Sequence, residues 1–367
     1  MLINYLLATS ILSISLLLFY YAYFFIKLNT HKTNILTFNE PISIIVCAKN
    51  EFQNLKDKLP FILEQDYPNY EVIVVNDQSI DDTADLLKKF KKQYQRLIVV
   101  TIEKHINQHT GKKLALTLGI KTAKHEHLLL TDADCIPNSR NWAMKMCSNF
   151  KSADIVLGYG DYVKKKGLLN KLIRFDTFNV AQQYLAYALS GQTYMGIGRN
   201  MAYKKSLFFE NKGFAKHLHI PSGDDDLFIQ EIANKNNVRI EISEQAHTKS
   251  EVIEKWGEWV YQKRRHITTA PLYKKKFKIL LGIYPSAQLM FWCVILLLFC
   301  LNAPLKFCTI LLGTKLFLSY LINYKTMKNL RVMDLYWIHP FYEIVHLSMQ
   351  GIFVLLNIVS KPKKWSR

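Results

Sequence analysis

The sequence predicts an α/β fold: a mostly parallel sheet with helices on both faces, carried between apolar helices at the two ends of the chain. Three observations carry that expectation. Short strand-like runs alternate with helical patterns from Pro41 to about Lys275, long apolar runs lie on either side, and acidic clusters recur where the strand-like runs stop. Alternation of this kind predicts parallel strands joined by helices. In such sheets ligands sit at the carboxyl ends of the strands.

The elements follow in order. Leu2 to Ile26 is almost uninterrupted apolar sequence, long enough to cross a bilayer, and defines an N-terminal transmembrane helix over residues 1–27. It has no basic n-region and no small-residue cleavage site, which favours an anchor over a signal peptide. Lys27, His31 and Lys32 follow and place the next segment in the cytoplasm. Residues 40–275 read as one cytoplasmic domain. Its strands are expected at Pro41–Cys47, Tyr70–Asn76, Leu97–Ile102 and His127–Thr131, and its helices at Asn54–Glu64, Asp82–Phe90 and Lys112–Lys124.

Residues 279–360 return to the membrane. Ile279–Leu301 and Leu305–Ile322 form a helical hairpin broken at Asn302-Ala303-Pro304. Leu335–Val359 contains His339, Pro340, Glu343 and His346 and spans, re-enters or lies in the interface, because ionisable groups at that depth are costly. If it crosses, the basic tail 361–367 ends opposite the 40–275 domain. If it does not, the tail stays cytoplasmic, and the reading leans to the latter.

The formal charge is +19, yet no nucleic-acid module is recognisable. Many basic residues flank apolar spans, as at Lys274–Lys276, Lys278, Lys325, Lys328 and Arg331, which suits an anionic membrane surface. A membrane is the expected partner and nucleic acid is not. The six cysteines form no C-x-x-C pair and three lie in apolar spans, so they make neither a zinc site nor a disulfide framework. The large domain is therefore expected in a reducing compartment.

The strongest chemical signal is Leu128-Leu129-Leu130-Thr131-Asp132-Ala133-Asp134, an apolar strand ending in two carboxylates at i and i+2. On an extended strand they point the same way and repel unless a cation sits near them. Mg²⁺ or Mn²⁺ carrying a diphosphate answers that need. An Asx-turn or helix cap is the plainer alternative. Asn76-Asp77-Gln78-Ser79-Ile80-Asp81-Asp82-Thr83 follows the second strand, with Asp77 placed to hydrogen-bond a base or ribose and Asp81 or Asp82 to cap the next helix. Gly111-Lys112-Lys113 opens a helix where amide dipoles and a cation can hold phosphate.

Taken in order, Lys49-Asn50-Glu51, Asn76-Asp77-x-Ser79-x-Asp81-x-Thr83, Gly111-Lys112-x-x-Ala115-Leu116 and Thr131-Asp132-x-Asp134 resemble the inverting family 2 glycosyltransferases, which have the Rossmann-like GT-A fold and use nucleotide-diphosphate sugars. Ser222-Gly223-Asp224-Asp225-Asp226-Leu227 is similar to the family's Glu-Asp-x-Asp-Leu motif, and Gln262-Lys263-Arg264-Arg265-His266 to its Gln-x-x-Arg-Trp motif. The resemblance implies that Glu51, Asp77, Lys112 and Asp132 bind the nucleotide sugar. It implies that Asp134, with Asp132, holds Mg²⁺ or Mn²⁺. Asp224 is the implied catalytic base, with Asp225 its competitor, and Gln262 and Arg265 serve the diphosphate or the acceptor. Gly196–Tyr203 is similar to a segment bordering the family's acceptor pocket. Gly223 stands where the family has glutamate, and His266 where it has tryptophan. Tyr184, Tyr187 and Tyr194 could stack on a sugar, but core packing is the expected use.

Sugar transfer with inversion needs a cation at the leaving diphosphate and one base at the attacking hydroxyl. A metal carboxylate pair plus one separate carboxylate meets that count. The expected function is a membrane-bound inverting glycosyltransferase of the bacterial inner membrane, its catalytic domain cytoplasmic. It would move a sugar from a nucleotide-diphosphate donor, expected to be UDP-linked, to a lipid or lipid-linked glycan acceptor for the cell envelope. The alternatives are a processive polysaccharide synthase, and a non-catalytic scaffold that binds nucleotide sugars.

Overall fold

The computed structural model describes residues 1–33, 37–103, 111–220, 222–360 and 362. Apart from Pro362, the expected basic tail 361–367 lies outside the described residues. The chain opens with α1 (Leu2–Tyr20), a π-helical turn at Tyr21–Phe25 and α2 (Ile26–Thr30). It continues through β1 (Ile42–Ala48), α3 (Phe52–Leu63), β2 (Tyr70–Asp77), α4 (Thr83–Gln93), β3 (Leu97–Ile102), α5 (Lys112–Thr122) and β4 (His127–Asp132). Next come β5 (Cys135–Pro137), α6 (Trp142–Cys147), β6 (Ile155–Gly158), β7 (Gly160–Tyr162), α7 (Leu168–Leu189), β8 (Met201–Lys204) and α8 (Lys205–Glu210). Then follow α9 (Asp226–Ile232), β9 (Val238–Glu241), β10 (Thr248–Ser250), α10 (Trp256–Ile267), α11 (Lys275–Cys300), α12 (Leu305–Asn329) and α13 (His339–Val359).

Contacts divide the chain into two compact units, one of Met1–His31, Lys166–Ser190 and Glu254–Pro362, the other built on Lys32–Lys165 and Gly191–Ile253. The range 40–275 read from the sequence is thus cut twice, because α7 and α10 pack with the apolar helices. The physical reason for α7 is its buried face. Phe24 meets Tyr187 at 4.4 Å between ring centroids, Phe175 meets Tyr342 at 5.5 Å, and Gln182 donates to Asn323 Oδ1 at 2.7 Å. Arg174 and Asp176 in the same helix disguise that face in the sequence, although both are buried.

In this first unit, Leu2–Thr30, Lys275–Cys300, Leu305–Asn329 and His339–Val359 are long and apolar enough to cross a membrane. The Tyr20 hydroxyl donates to Leu280 O at 2.8 Å, and Ile14 packs with Phe291, Val294 and Leu298. Without water, polar groups between such helices must satisfy one another. Asn29 does so with Ile322 O at 2.8 Å and with Thr326 Oγ1 at 2.6 Å. Lys315 pairs with Glu343, which also accepts from Trp292 Nε1 at 2.7 Å. α13 is one unbroken helix, and Pro340 sits in its first turn, where a missing N–H costs nothing. Its start meets Ser319 through His339 at 2.8 Å, and its end meets α10 through Asn357 and Arg264 at 3.0 Å.

The second unit holds a seven-stranded sheet of order β3-β2-β1-β4-β8-β6-β9. β1 to β4 run parallel, and only β8 runs against its neighbours β4 and β6. β2 is buried along its whole length, so its near-continuous apolar run marks a strand covered on both faces. α5 packs closely on that sheet. A Cβ at Gly119 would lie 2.8 Å from Ile45 Cγ2, so only glycine lets helix and strand approach. A small second sheet has the order β5-β10-β7.

Candidate active site

The chain leaves β1 toward β2 and β3 and later returns to β1's other side as β4. The crevice between the β1 and β4 ends is therefore a topological switch point, where open α/β sheets bind ligands. The register sets Cys47 beside Asp132 and Ala48 beside Asn76, bringing three of the sequence's acidic or polar clusters to one edge.

The loops after β1 and β2 are laced together. Asn50 N donates to Ser79 Oγ at 2.9 Å, Ile80 N to Asn50 Oδ1 at 2.9 Å, Glu51 N to Thr83 Oγ1 at 3.1 Å, and Phe52 N to Asp81 Oδ2 at 3.2 Å. Ser79, Asp81 and Thr83 thus hold the loops, and Asp82, at the N-cap position of α4, makes no side-chain cap bond. Glu51 accepts from Asn54 Nδ2 at 2.6 Å and lines a depression of about 300 Å³ with Asn50, Phe52, Gln53, Asn54, Asp81 and Asp82. Asp77 is buried with neither carboxylate oxygen hydrogen-bonded among the described residues, and its nearest cation is Lys49 at 4.0 Å. Burial pushes its pKa up and Lys49 offsets this in part. A buried acceptor without a donor is costly, which suits a site completed by a ligand's N–H or O–H.

Asp132 ends β4, and Asp134 follows two residues later. Ligand atoms of Asp132, Asp134 and Cys135 lie within 4.8 Å of one another. Burial pushes the Cys135 thiol up, and its Sγ lies 3.0 Å from Ser250 Oγ, so the useful donors are the two carboxylates. Hard carboxylate oxygens fit Mg²⁺ or Mn²⁺ with positions left for phosphate and water. Lys112 does not point into an open phosphate cradle. Its Nζ stands 2.8 Å from Asp132 Oδ1 and 3.4 Å from Asp224 Oδ2. Burial alone would depress its pKa, but the carboxylates of Asp132, Asp224 and Asp225 hold it well above the ordinary lysine value.

Asp224 and Asp225 are separated by their partners. Asp225 Oδ1 accepts from Asp226 N at 2.9 Å as the N-cap of α9, and Oδ2 accepts from Gly198 N at 3.1 Å. Both oxygens are occupied in shaping the loop. Asp224 lines the crevice with Ile45, Cys47, Lys112, Leu116, Leu130, Thr131, Asp132, Gly198 and Met201. The departure at Gly223 has a steric cause: its φ is +102°, and a Cβ there would lie 2.7 Å from Leu227 Cδ1.

Burial, then the neighbouring Asp224 and Asp226, push the Asp225 carboxyl up to about 8. The native state therefore keeps a proton that the unfolded chain, with an ordinary value of about 4, has released. This contribution to stability is fully present below the unfolded pKa and is lost as pH rises through the folded one. The difference in melting temperature between wild type and Asp225→Asn should accordingly fall as pH rises from about 4 to about 8. A pH-independent difference would contradict the assignment.

Three residues around the site have contacts that their sequence motifs did not indicate. Asn200, fully buried, accepts from Trp142 Nε1 at 3.0 Å and donates to Tyr159 O and Ala246 O, both at 2.8 Å. Arg199 reaches Gly160 O at 2.6 Å and stacks over Tyr162. Lys113 Nζ turns away from Lys112 and donates to His217 O at 2.5 Å and Ile220 O at 3.0 Å, holding the segment that leads to Asp224. Only the lysine pair after Gly111 hinted at the last of these. Tyr184, Tyr187 and Tyr194 are buried, in keeping with packing.

Gln262 and Arg265 lie on α10, in the other unit. Between them Lys263 pairs with buried Asp176, which also meets His346 Nε2 at 2.9 Å, and Arg264 binds Asn357. Burial opposes the Asp176 charge, but Lys263 and then His346 hold its pKa below the usual carboxylate range. Lys263 and Arg264 therefore join helices rather than forming a free basic face. Breaking a buried pair by removing one partner costs about 3–5 kcal/mol. Asp176→Leu should melt well below wild type in detergent, and an unchanged melting temperature would show the pair to be dispensable.

The description Glycosyl transferase family 2 matches residues 43–210. A poly-beta-1,6-N-acetyl-D-glucosamine synthase of Staphylococcus epidermidis is 34% identical over 119 residues, which are 31% of this chain and 28% of that protein. A synthase of the same description from Staphylococcus aureus (strain COL) is 32% identical over 112 residues, 30% of this chain and 26% of that one. The chain thus matches under a third of these relatives' length. Among solved structures, the mannosyltransferase PcManGT from Pyrobaculum calidifontis, in complex with GDP-Man and Mn²⁺, superposes with a TM-score of 0.59 at 19% identity, covering 94% of this chain and 98% of that one. At that identity the likeness concerns fold alone. Residues 43–210 thus match glycosyl transferase family 2, and the strand order and the carboxylates at the switch point agree with the GT-A fold.

Proposed function

We propose that the protein is a membrane-anchored inverting glycosyltransferase that moves a sugar from a nucleotide-diphosphate donor, UDP-linked by our reading, to a lipid or lipid-linked acceptor of the cell envelope. The observation that carries this is the grouping of carboxylates: Asp132 is paired with Asp134, and it lines one crevice with Asp224, across the Lys112 ammonium. Glu51 and Asp77 take the nucleoside. Asp224 removes the proton of the acceptor hydroxyl as its oxygen attacks the anomeric carbon, and the bond to the diphosphate breaks on the far side. When bound at Asp134 and Asp132, Mg²⁺ or Mn²⁺ supplies Lewis-acid stabilisation of the leaving diphosphate. Lys112 adds a charge-assisted hydrogen bond to that diphosphate.

The apolar helices and the basic residues beside them support a bacterial inner-membrane protein with its catalytic domain in the cytoplasm. Tyr20 bonds Leu280, so the Thr30 end of α2 and the Lys275 end of α11 lie together. α13 ends on α10, which leads into α11, and this supports a C-terminus on that same side. The test is comparative lipid mass spectrometry of cells carrying wild type or Asp224→Asn. A lipid present only with wild type, heavier than its precursor by one sugar residue, would give donor sugar and acceptor together, and identical lipid profiles would sink the proposal. The description of the staphylococcal relatives favours a second reading, a processive synthase. His266 in place of tryptophan speaks against it, and a ladder of products in the same spectra would establish it.

A further inference from the structure

We infer that Lys112 is a placeholder: in the free protein its ammonium fills the carboxylate nest that the metal-bound diphosphate requires, and it keeps the base Asp224 paired until the donor draws it away. The inference rests on the proposed donor site and deepens it. One ammonium bridges Asp132 at 2.8 Å and Asp224 at 3.4 Å, so a presumptive ligand carboxylate and the base share a single cation. The crevice they line leaves only about 10 Å³, room for no more than a water. A metal-bound diphosphate at Asp132 therefore competes with the Lys112 ammonium already seated there.

The surroundings suit such a move. Gly198 lies beneath the ammonium, and a Cβ there would stand 3.0 Å from Lys112 Nζ and 3.7 Å from Asp224 Oδ2. The missing side chain keeps the seat open. Lys113, one residue on, is tied to His217 O and Ile220 O, so the helix start stays fixed while the Lys112 side chain swings. Lysine, a point charge on a flexible stem, is suited to exchanging partners. Charge balance orders the events. Lys112 leaves Asp132 and Asp224 at least cost when another cation takes its place, and the diphosphate then offers Lys112 a new partner. Asp224 is released as the donor seats, so the acceptor is activated second.

The experiment titrates Mn²⁺ alone, and Mn²⁺ with UDP or GDP, into the full chain in detergent, read by electron paramagnetic resonance for wild type, Lys112→Met and Lys112→Arg. Removing the ammonium should tighten binding of Mn²⁺ alone by about tenfold and weaken binding of Mn²⁺ with nucleotide by about tenfold. A merely structural role would move both in one direction, and Lys112→Arg, which keeps the charge, should not tighten binding of Mn²⁺ alone. Gly198→Ala, which crowds the seat without removing the charge, should also tighten Mn²⁺ alone, and serves if Lys112→Met does not fold. If wild type binds Mn²⁺ with nucleotide but Lys112→Met and Gly198→Ala leave Mn²⁺ alone unchanged, the placeholder is overturned and the donor site stands. If wild type binds neither probe, both are overturned.

Discussion

Asp224→Asn should bind its nucleotide donor with near wild-type affinity and transfer sugar more slowly by a factor of about 10²–10⁴, the range that general-base catalysis contributes. The amide keeps the size and one hydrogen-bonding oxygen, so the crevice survives. It cannot accept a proton, so the acceptor hydroxyl stays a poor nucleophile. Nucleotide affinity by calorimetry and turnover by product mass spectrometry separate the two effects. Asp225→Asn is the informative companion. Asp225 spends both oxygens on Gly198 N and Asp226 N. Its loss should loosen the loop and lower activity less than the Asp224 substitution does. If Asp225→Asn were dead and Asp224→Asn active, the two roles would have to be exchanged.

Asp134→Asn should abolish the dependence of nucleotide binding on divalent cations. A carboxylate ligand and its charge disappear together, and metal stabilisation of a leaving phosphate is worth several kcal/mol. A loss of turnover of about 10² or more, not recovered by raising Mn²⁺ a few fold, follows from that magnitude. Asp132→Asn should differ in kind. Asp132 also carries the Lys112 ammonium, so its substitution frees that cation onto Asp224 alone. The base is then held more firmly, and the acceptor step suffers as well as metal binding. Wild-type metal dependence in Asp134→Asn would exclude it as a ligand.

Some of this was legible in the chain. The alternation of strands and helices, the apolar ends and the Asp132–Asp134 pair need only local spacing. Strand period and strand-end chemistry are local properties. Other features were hidden because they depend on residues far apart. The sequence named Asp224 with Asp225 as its competitor, and the hydrogen bonds of Asp225 to Gly198 N and Asp226 N support the role proposed for Asp224. In the Asn76-to-Thr83 cluster Asp81 or Asp82 was expected to cap the next helix, yet Asp82 makes no side-chain cap bond, and Ser79, Asp81 and Thr83 lace two loops together. α7 was read as part of the catalytic domain because its charges obscured an apolar face whose partners lie more than a hundred residues away.

By itself, then, the sequence determined the fold class, the apolar helices and the set of carboxylates available for chemistry, since each follows from composition and short-range periodicity. The tertiary structure alone decided which of the two acids spends its oxygens on backbone amides, which lysine pairs with the other and which helices divide the chain into two units. Those depend on burial and on hydrogen-bond partners, and a side chain acquires both only when distant segments close around it.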